Sequence, residues 1–297
     1  MKCDRCTKDA IFFRPYSGER LCIKHFLKSV EEKVFAELRK YVKSGKKVGL
    51  AVSGGKDSLT LAYMTSKFLQ KRRIRNVEVK AIIIDEGIKN FRDKAVKIAQ
   101  QQLSEWNIEY TVFRFNEEYT ITIDQIREKV GSRMTCTYCG IFRRRAFETL
   151  SKKLKLDLIL TGHNADDISQ TILLNIIQGN LKHLARTEEF PGTIPKKKPL
   201  RKVLEREIAL YAVLRGIRFY SYPCPYSREA LRNEIRNFLF SLEEKHPGTT
   251  YSILRIGEKI KEKIYYQIEV KKCKKCGFPT TRDICKFCEL MSSLRGI

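Results

Sequence analysis

Six residues, Ser53-Gly54-Gly55-Lys56-Asp57-Ser58, join an apolar run at 48–52 to a segment carrying Leu59, Leu61, Ala62 and Met64. That order reads as a buried strand, a glycine turn and the start of a helix. It commits the chain to an αβ architecture and aims backbone N–H groups at an anion near the helix N-terminus. Gly54 and Gly55 let the backbone come close, Lys56 adds positive charge, and Asp57 can reach a magnesium ion. The run lacks the Gly-x-x-x-x-Gly-Lys-Ser/Thr spacing of the common nucleotide loop. An αβ junction that binds nothing is the plainer reading of the same letters.

The alternation continues. Residues 77–84, 110–115 and 156–160 read as strands, and 91–106, 137–154 and 166–177 as helices. Such an order predicts a mostly parallel sheet with helices on both faces. Ligands of these sheets bind beyond the carboxyl ends of the strands, near the switch point. That rule gathers 53–58, then Asp85 with Glu86 and Gly87, then Gly162-His163-Asn164-Ala165-Asp166-Asp167, around one cleft. Asp85 either joins the cleft or caps its own loop. Asp166 and Asp167 also have an ordinary use as acids at a helix N-terminus.

Ten cysteines need an account, and nine of them lie in Cys-x-x-Cys or Cys-x-x-His pairs. No N-terminal signal is apparent, so metal binding is expected before a secreted disulfide scaffold. Cys3, Cys6, Cys22 and His25 make one four-ligand zinc set; Cys273, Cys276, Cys285 and Cys288 make another, for which a rubredoxin-like iron is the lesser alternative. The first module is too small to stand on burial alone, so a metal must supply its folding energy. The chain then divides into a zinc ribbon at 1–28, a catalytic domain at 29–268 and a second ribbon at 269–297. Cys136 and Cys139 open the helix that carries Arg143, Arg144 and Arg145, and Cys224 stands alone between two prolines. Three such thiols can hold three irons of a four-iron cluster, leaving the fourth open to sulfide. They can also run persulfide and disulfide chemistry without iron, or remain inert.

A net charge of +25, with basic knots at 71–73, 143–145 and 196–198, predicts a polyanionic partner, nucleic acid first. Arg228, Arg232 and Arg236 recur at helical spacing, as a basic stripe or an ordinary solvated face. No long apolar span suggests a membrane.

Together these motifs resemble the PP-loop ATPases that thiolate transfer RNA. The glycine run matches the family's loop, Cys136, Cys139 and Cys224 its three thiols, and residues 162–167 its second nucleotide motif. The resemblance spans nearly the whole chain, ribbons included. It implies an adenine nucleotide α-hydrolase-like sheet, ATP, magnesium, a [4Fe-4S] cluster on three cysteines, two zinc ions and a cytoplasmic homodimer. It implies sulfur delivery by a ubiquitin-like carrier with a C-terminal thiocarboxylate, or by free sulfide. In this reading Ser53, Gly54, Gly55 and Ser58 hold phosphates and Lys56 offsets their charge. Asp57, with Asp166 or Asp167, positions magnesium, while Gly162 and His163 shape the nucleotide pocket. Because the first ribbon ends in His25 rather than cysteine, the chain is similar to the branch acting on 5-methyluridine 54. The wobble-uridine 34 branch is the alternative. An adenylating ligase and a non-catalytic zinc-ribbon RNA-binding protein are the competing classes.

Overall fold

The computed structural model describes residues 1–72, 74, 76–185, 190–226, 231–264 and 269–296. Strands β1 (Phe12–Arg14) and β2 (Glu19–Leu21) pair antiparallel, and α1 (Ile23–Tyr41) leaves them directly. The expected boundary after residue 28 thus falls inside a helix whose first turn carries His25. Then β3 (Lys47–Val52), α2 (Lys56–Arg72), β4 (Glu78–Asp85), α3 (Arg92–Glu105) and β5 (Glu109–Arg114) alternate. Helices α4 (Phe115–Glu118), α5 (Ile123–Val130) and α6 (Ser132–Lys153) lead to β6 (Leu158–Thr161) and α7 (Ala165–Ile177). Next come α8 (Leu181–Ala185), β7 (Lys196–Lys197), α9 (Glu205–Leu214), α10 (Leu231–Lys245) and α11 (Thr249–Lys263). Strands β8 (Lys271–Lys272) and β9 (Pro279–Thr280) with α12 (Lys286–Arg295) form the second ribbon.

The central sheet runs β5-β4-β3-β6-β7, and every pair in it is parallel. The chain steps outward from β3 to β5, then returns to the other side of β3. The switch point, and so the crevice, lies beside β3. Side chains alternate across the strands. Val48, Leu50, Val52, Ala81 and Ile83 enter one core with Leu21, Phe26, Val34, Leu61 and Tyr211. Ile82, Ile84, Phe113 and Ile159 enter the opposite core with Phe142, Leu290 and Leu294. Each ribbon therefore shares a core with the sheet, the first on one face and the second on the other.

The first ribbon is also tied down by charge. Arg14, 2% exposed, donates to Glu207 Oε1 at 2.7 Å, Glu19 Oε2 at 2.9 Å and Ser29 Oγ at 2.8 Å. Removing one partner of a buried pair costs about 3–5 kcal/mol, so this contact fixes how the ribbon sits on α9. No helix among the described residues is long and apolar enough to cross a membrane.

Candidate active site at the carboxyl ends of the strands

The glycine run folds as its letters require. Gly54 has φ +86°, and a Cβ there would run into the Ala95 carbonyl of α3. The turn is closed by hydroxyls: Ser58 Oγ accepts from Ser53 N–H at 3.0 Å and donates to Gly55 O at 3.0 Å. Arg92 buttresses it from behind, donating to Ser53 O at 2.5 Å while pairing with Glu86 at 2.5 Å. Gly162 lets the β6 end lie against the head of α2, since a Cβ there would come within 2.9 Å of Ser58 N.

Charges then converge on that turn. Lys56 Nζ lies 3.0 Å from Asp57 Oδ2 and 2.6 Å from Glu205 Oε1. Asn164 caps α7 by accepting from Asp167 N–H at 2.9 Å, and its amide donates to Asp57 Oδ1 at 3.0 Å. Asp166 accepts from the Glu205 N–H at 2.6 Å, which joins the heads of α7 and α9. Burial holds the Asp57 and Asp167 carboxyls above the usual range and pushes Asp166 up to about 6. Burial works against the Lys56 charge, but Asp57 and Glu205 outweigh it and raise the ammonium's pKa. A cavity of about 490 Å³ opens among Gly55, Lys56, Asp57, Asp167, Tyr220 and Pro223. Desolvated carboxylates beside it form a donor set that a divalent cation relieves.

The thiols reach the same end of the sheet. Helix α6 starts at Ser132, five residues before the expected start, so Cys136 and Cys139 stand one turn apart within it. Tyr220 N–H donates to Gly54 O at 2.9 Å, and four residues later the chain delivers Cys224. The Cys136 thiol contacts Tyr226 O at 3.4 Å. The three sulfurs are close enough to feel one another's charge. Burial, and behind it Glu86, pushes the Cys139 thiol up to about 12.

The two ribbon sets are tighter. In each, the four ligand atoms all lie within 4.8 Å of one another. Cys6 and Cys22 sulfurs are 3.7 Å apart, His25 Nδ1 is 3.3 Å from Cys3 Sγ, and Cys276 and Cys285 sulfurs are 3.7 Å apart. A tetrahedral ion about 2.3 Å from each sulfur produces edges of that length. Both sets are metal-binding clusters. Cys136, Cys139 and Cys224 form no such compact set among the described residues.

Several of the basic residues have partners far away in the sequence. Arg143 pairs with Glu86 at 3.1 Å beside Cys139. Arg145 donates to Cys276 Sγ at 2.9 Å and Cys285 Sγ at 3.1 Å, and its guanidinium stacks 3.9 Å from the Phe278 ring centre. Lys196 belongs to the edge strand and pairs with buried Glu148 at 2.5 Å. Arg232 reaches Asp167 O at 3.1 Å and Arg236 reaches Glu205 at 2.5 Å, so these two exposed arginines of the stripe meet partners on α7 and α9; Arg228 and Arg73 lie outside the described residues. Arg145→Ala should lower metal affinity at the second ribbon about 10–100-fold, as loss of a partner behind a metal ligand does. Chelator competition would measure it, and an unchanged affinity would contradict it.

Asp85 accepts from Gly87 N–H at 3.0 Å, the loop-capping alternative, and His163 Nδ1 sits 2.9 Å from Thr161 Oγ1. Arg92 and Glu205 were not singled out by the sequence reading, and Glu86 and Asn164, placed at the cleft by their strands, were given no role in it. Only Asn164 carried a usable signal, an Asn-x-x-Asp box ahead of an apolar helix. The others act across long separations.

A family model described as a PP-loop domain matches residues 25–243, and one described as the N-terminal LIM domain of the 2-thiouridine synthetase TtuA matches residues 2–27. The tRNA 2-thiolation protein NcsA of Haloferax volcanii is 34% identical over 100% of both chains. Cytoplasmic tRNA 2-thiolation protein 1 of Xenopus laevis is 34% identical over 100% of this chain and 89% of its own. The solved U34-tRNA thiolase NcsA from Methanococcus maripaludis, with its [4Fe-4S] cluster, superposes with a TM-score of 0.88. That match is at 33% identity and covers 99% of this chain and 96% of the other. These full-length matches overturn the position-54 branch expected from His25, since the TtuA match ends with the first ribbon. The physical reason is plain: a tetrahedral metal accepts imidazole or thiolate as fourth ligand, so that letter carries no information about the RNA. The chain belongs to the PP-loop family of tRNA-thiolation enzymes and is an ATP-dependent sulfurtransferase.

Proposed function

We propose that the protein 2-thiolates the wobble uridine, position 34, of transfer RNA. The reading is carried by one observation: the segment that hydrogen-bonds the glycine turn at Gly54 also lines the cavity at Pro223 and leads straight into Cys224. The full-length likeness to a U34-tRNA thiolase supports the choice of position. A loop base can be splayed into a pocket at the cost of a few kcal/mol.

The uridine C2 oxygen attacks the α-phosphorus of ATP and pyrophosphate leaves. Hydrosulfide then adds at C2, AMP departs with the oxygen, and loss of a proton leaves the thiocarbonyl. Ser53, Gly54, Gly55 and Ser58 offer N–H and hydroxyl groups to phosphate, and Lys56 balances the charge that develops. Asp57 and Asp167, which both face the cavity, hold magnesium. Cys136, Cys139 and Cys224, looser than a single-ion site, fit a [4Fe-4S] cluster whose open iron supplies a place for sulfide. Zinc fits the two compact ribbon sets. A thiocarboxylated ubiquitin-like carrier or free sulfide as donor, and a homodimer, complete the proposal from the family resemblance. A cytoplasmic location suits chemistry that needs reduced thiols.

An anaerobic reaction of reconstituted protein with ATP, sulfide and unmodified transfer RNA tests this reading. Mass spectrometry of the digested RNA should find 2-thiouridine at position 34, with AMP and pyrophosphate formed in equal amounts. Sulfur at another position, or absence of RNA-stimulated pyrophosphate release, would overturn it.

A further inference from the structure

One carboxylate oxygen stands where two cations meet over the glycine turn. Glu205 Oε1 accepts from Lys56 Nζ at 2.6 Å and from Arg236 Nη2 at 2.5 Å. The three residues come from separate elements: Lys56 heads α2, Glu205 heads α9 and Arg236 lies on α10. All three line the cavity that Gly55 and Asp57 also face. They also line an adjoining cavity of about 420 Å³, which Tyr220 and Pro223 on the thiol side do not reach.

An anionic oxygen bridging a lysine at a helix head and an arginine is the arrangement a phosphate oxygen makes. The carboxylate is anchored to the chain, so it holds this place whenever no phosphate competes. We propose that Glu205 is an internal stand-in for the terminal phosphates of ATP. The nucleotide enters by displacing the carboxylate from Lys56 and Arg236, and the carboxylate returns as pyrophosphate departs. Arg236 is then a phosphate ligand supplied by α10, and the adjoining cavity is the leaving group's exit. The inference rests on the adenylation reading above and adds to it two residues and a release device.

Equilibrium titration with ATP, AMP and inorganic pyrophosphate, in chelator to remove magnesium, tests the assignment. Glu205→Gln keeps the side chain's size and removes its charge. It should bind ATP and pyrophosphate about tenfold tighter, the scale of one charge-assisted hydrogen bond. Arg236→Ala should bind both about tenfold weaker, with AMP affinity unchanged in either variant. The AMP arm reports an intact pocket, and tightening cannot arise from misfolding. Unchanged or weaker ATP binding by Glu205→Gln would overturn the proposal, as would equal losses of AMP and ATP in Arg236→Ala. Wild-type protein that binds neither ATP nor pyrophosphate would instead take down adenylation itself, and this inference with it.

Discussion

Cys224→Ser protein, reconstituted anaerobically with iron and sulfide, should keep RNA-dependent pyrophosphate release and lose thiolation. The loss should exceed the about 10–100-fold seen when a partner behind a metal ligand is removed, because a ligand itself is gone. Serine preserves the backbone between Tyr220 and Tyr226, so the turn keeps its 2.9 Å bond from Tyr220 and the Cys136 thiol its contact with Tyr226 O. Adenylation is thereby separated from sulfur insertion. Two readouts decide it: pyrophosphate release, and the visible absorption of bound iron and sulfide. Cys136→Ser and Cys139→Ser should behave alike, since three ligands that act as a unit fail together. Full thiolation by an iron-free Cys139→Ser protein would decide for a persulfide route on the remaining thiols.

Much of this site was legible before any coordinates. The glycine run, the Asp-Asp motif and both ribbon sets are local patterns, and local patterns survive in a linear string. The parallel sheet followed from alternation, and β3, β4, β5 and β6 lie within a few residues of expectation. The strand at 196–197 did not: three successive lysines read as a basic knot, yet Glu148 on α6 neutralises Lys196 and lets the segment close the sheet edge. The partners of Arg145 and Arg236 were out of reach for the same reason. Sequence gives a cation's charge but not the anion that meets it, here ribbon thiolates 131 and 140 residues away and a carboxylate 31 residues away. The RNA position was beyond reach because it rested on one metal ligand, and ligands are chosen for the ion.

Gly54→Ala should cripple nucleotide binding where Gly55→Ala leaves the fold intact, and the pair isolates what the turn requires. Gly54 sits at φ +86°, a region that costs an L-residue about 1–2 kcal/mol. Its new Cβ also meets the backbone of Ala95, which α3 holds in place and which cannot rotate away as a side chain would. The turn must shift, and with it Ser53 O leaves Arg92 and Gly54 O leaves Tyr220. Melting should fall by several degrees, at about 2–4 °C per kcal/mol for domains of 150–250 residues, and ATP-dependent pyrophosphate release should fall to background. At Gly55 an added Cβ would meet, among the described residues beyond its chain neighbours, Ser53 Oγ at 3.5 Å, an ordinary contact, and no left-handed conformation is imposed. Its melting temperature should match wild type, so any loss of ATP affinity there measures close approach of phosphate to the backbone. Equal melting losses in the two variants, or a Gly54→Ala protein with wild-type ATP affinity, would show that the turn is not the phosphate cradle, because only Gly54 is forced by geometry.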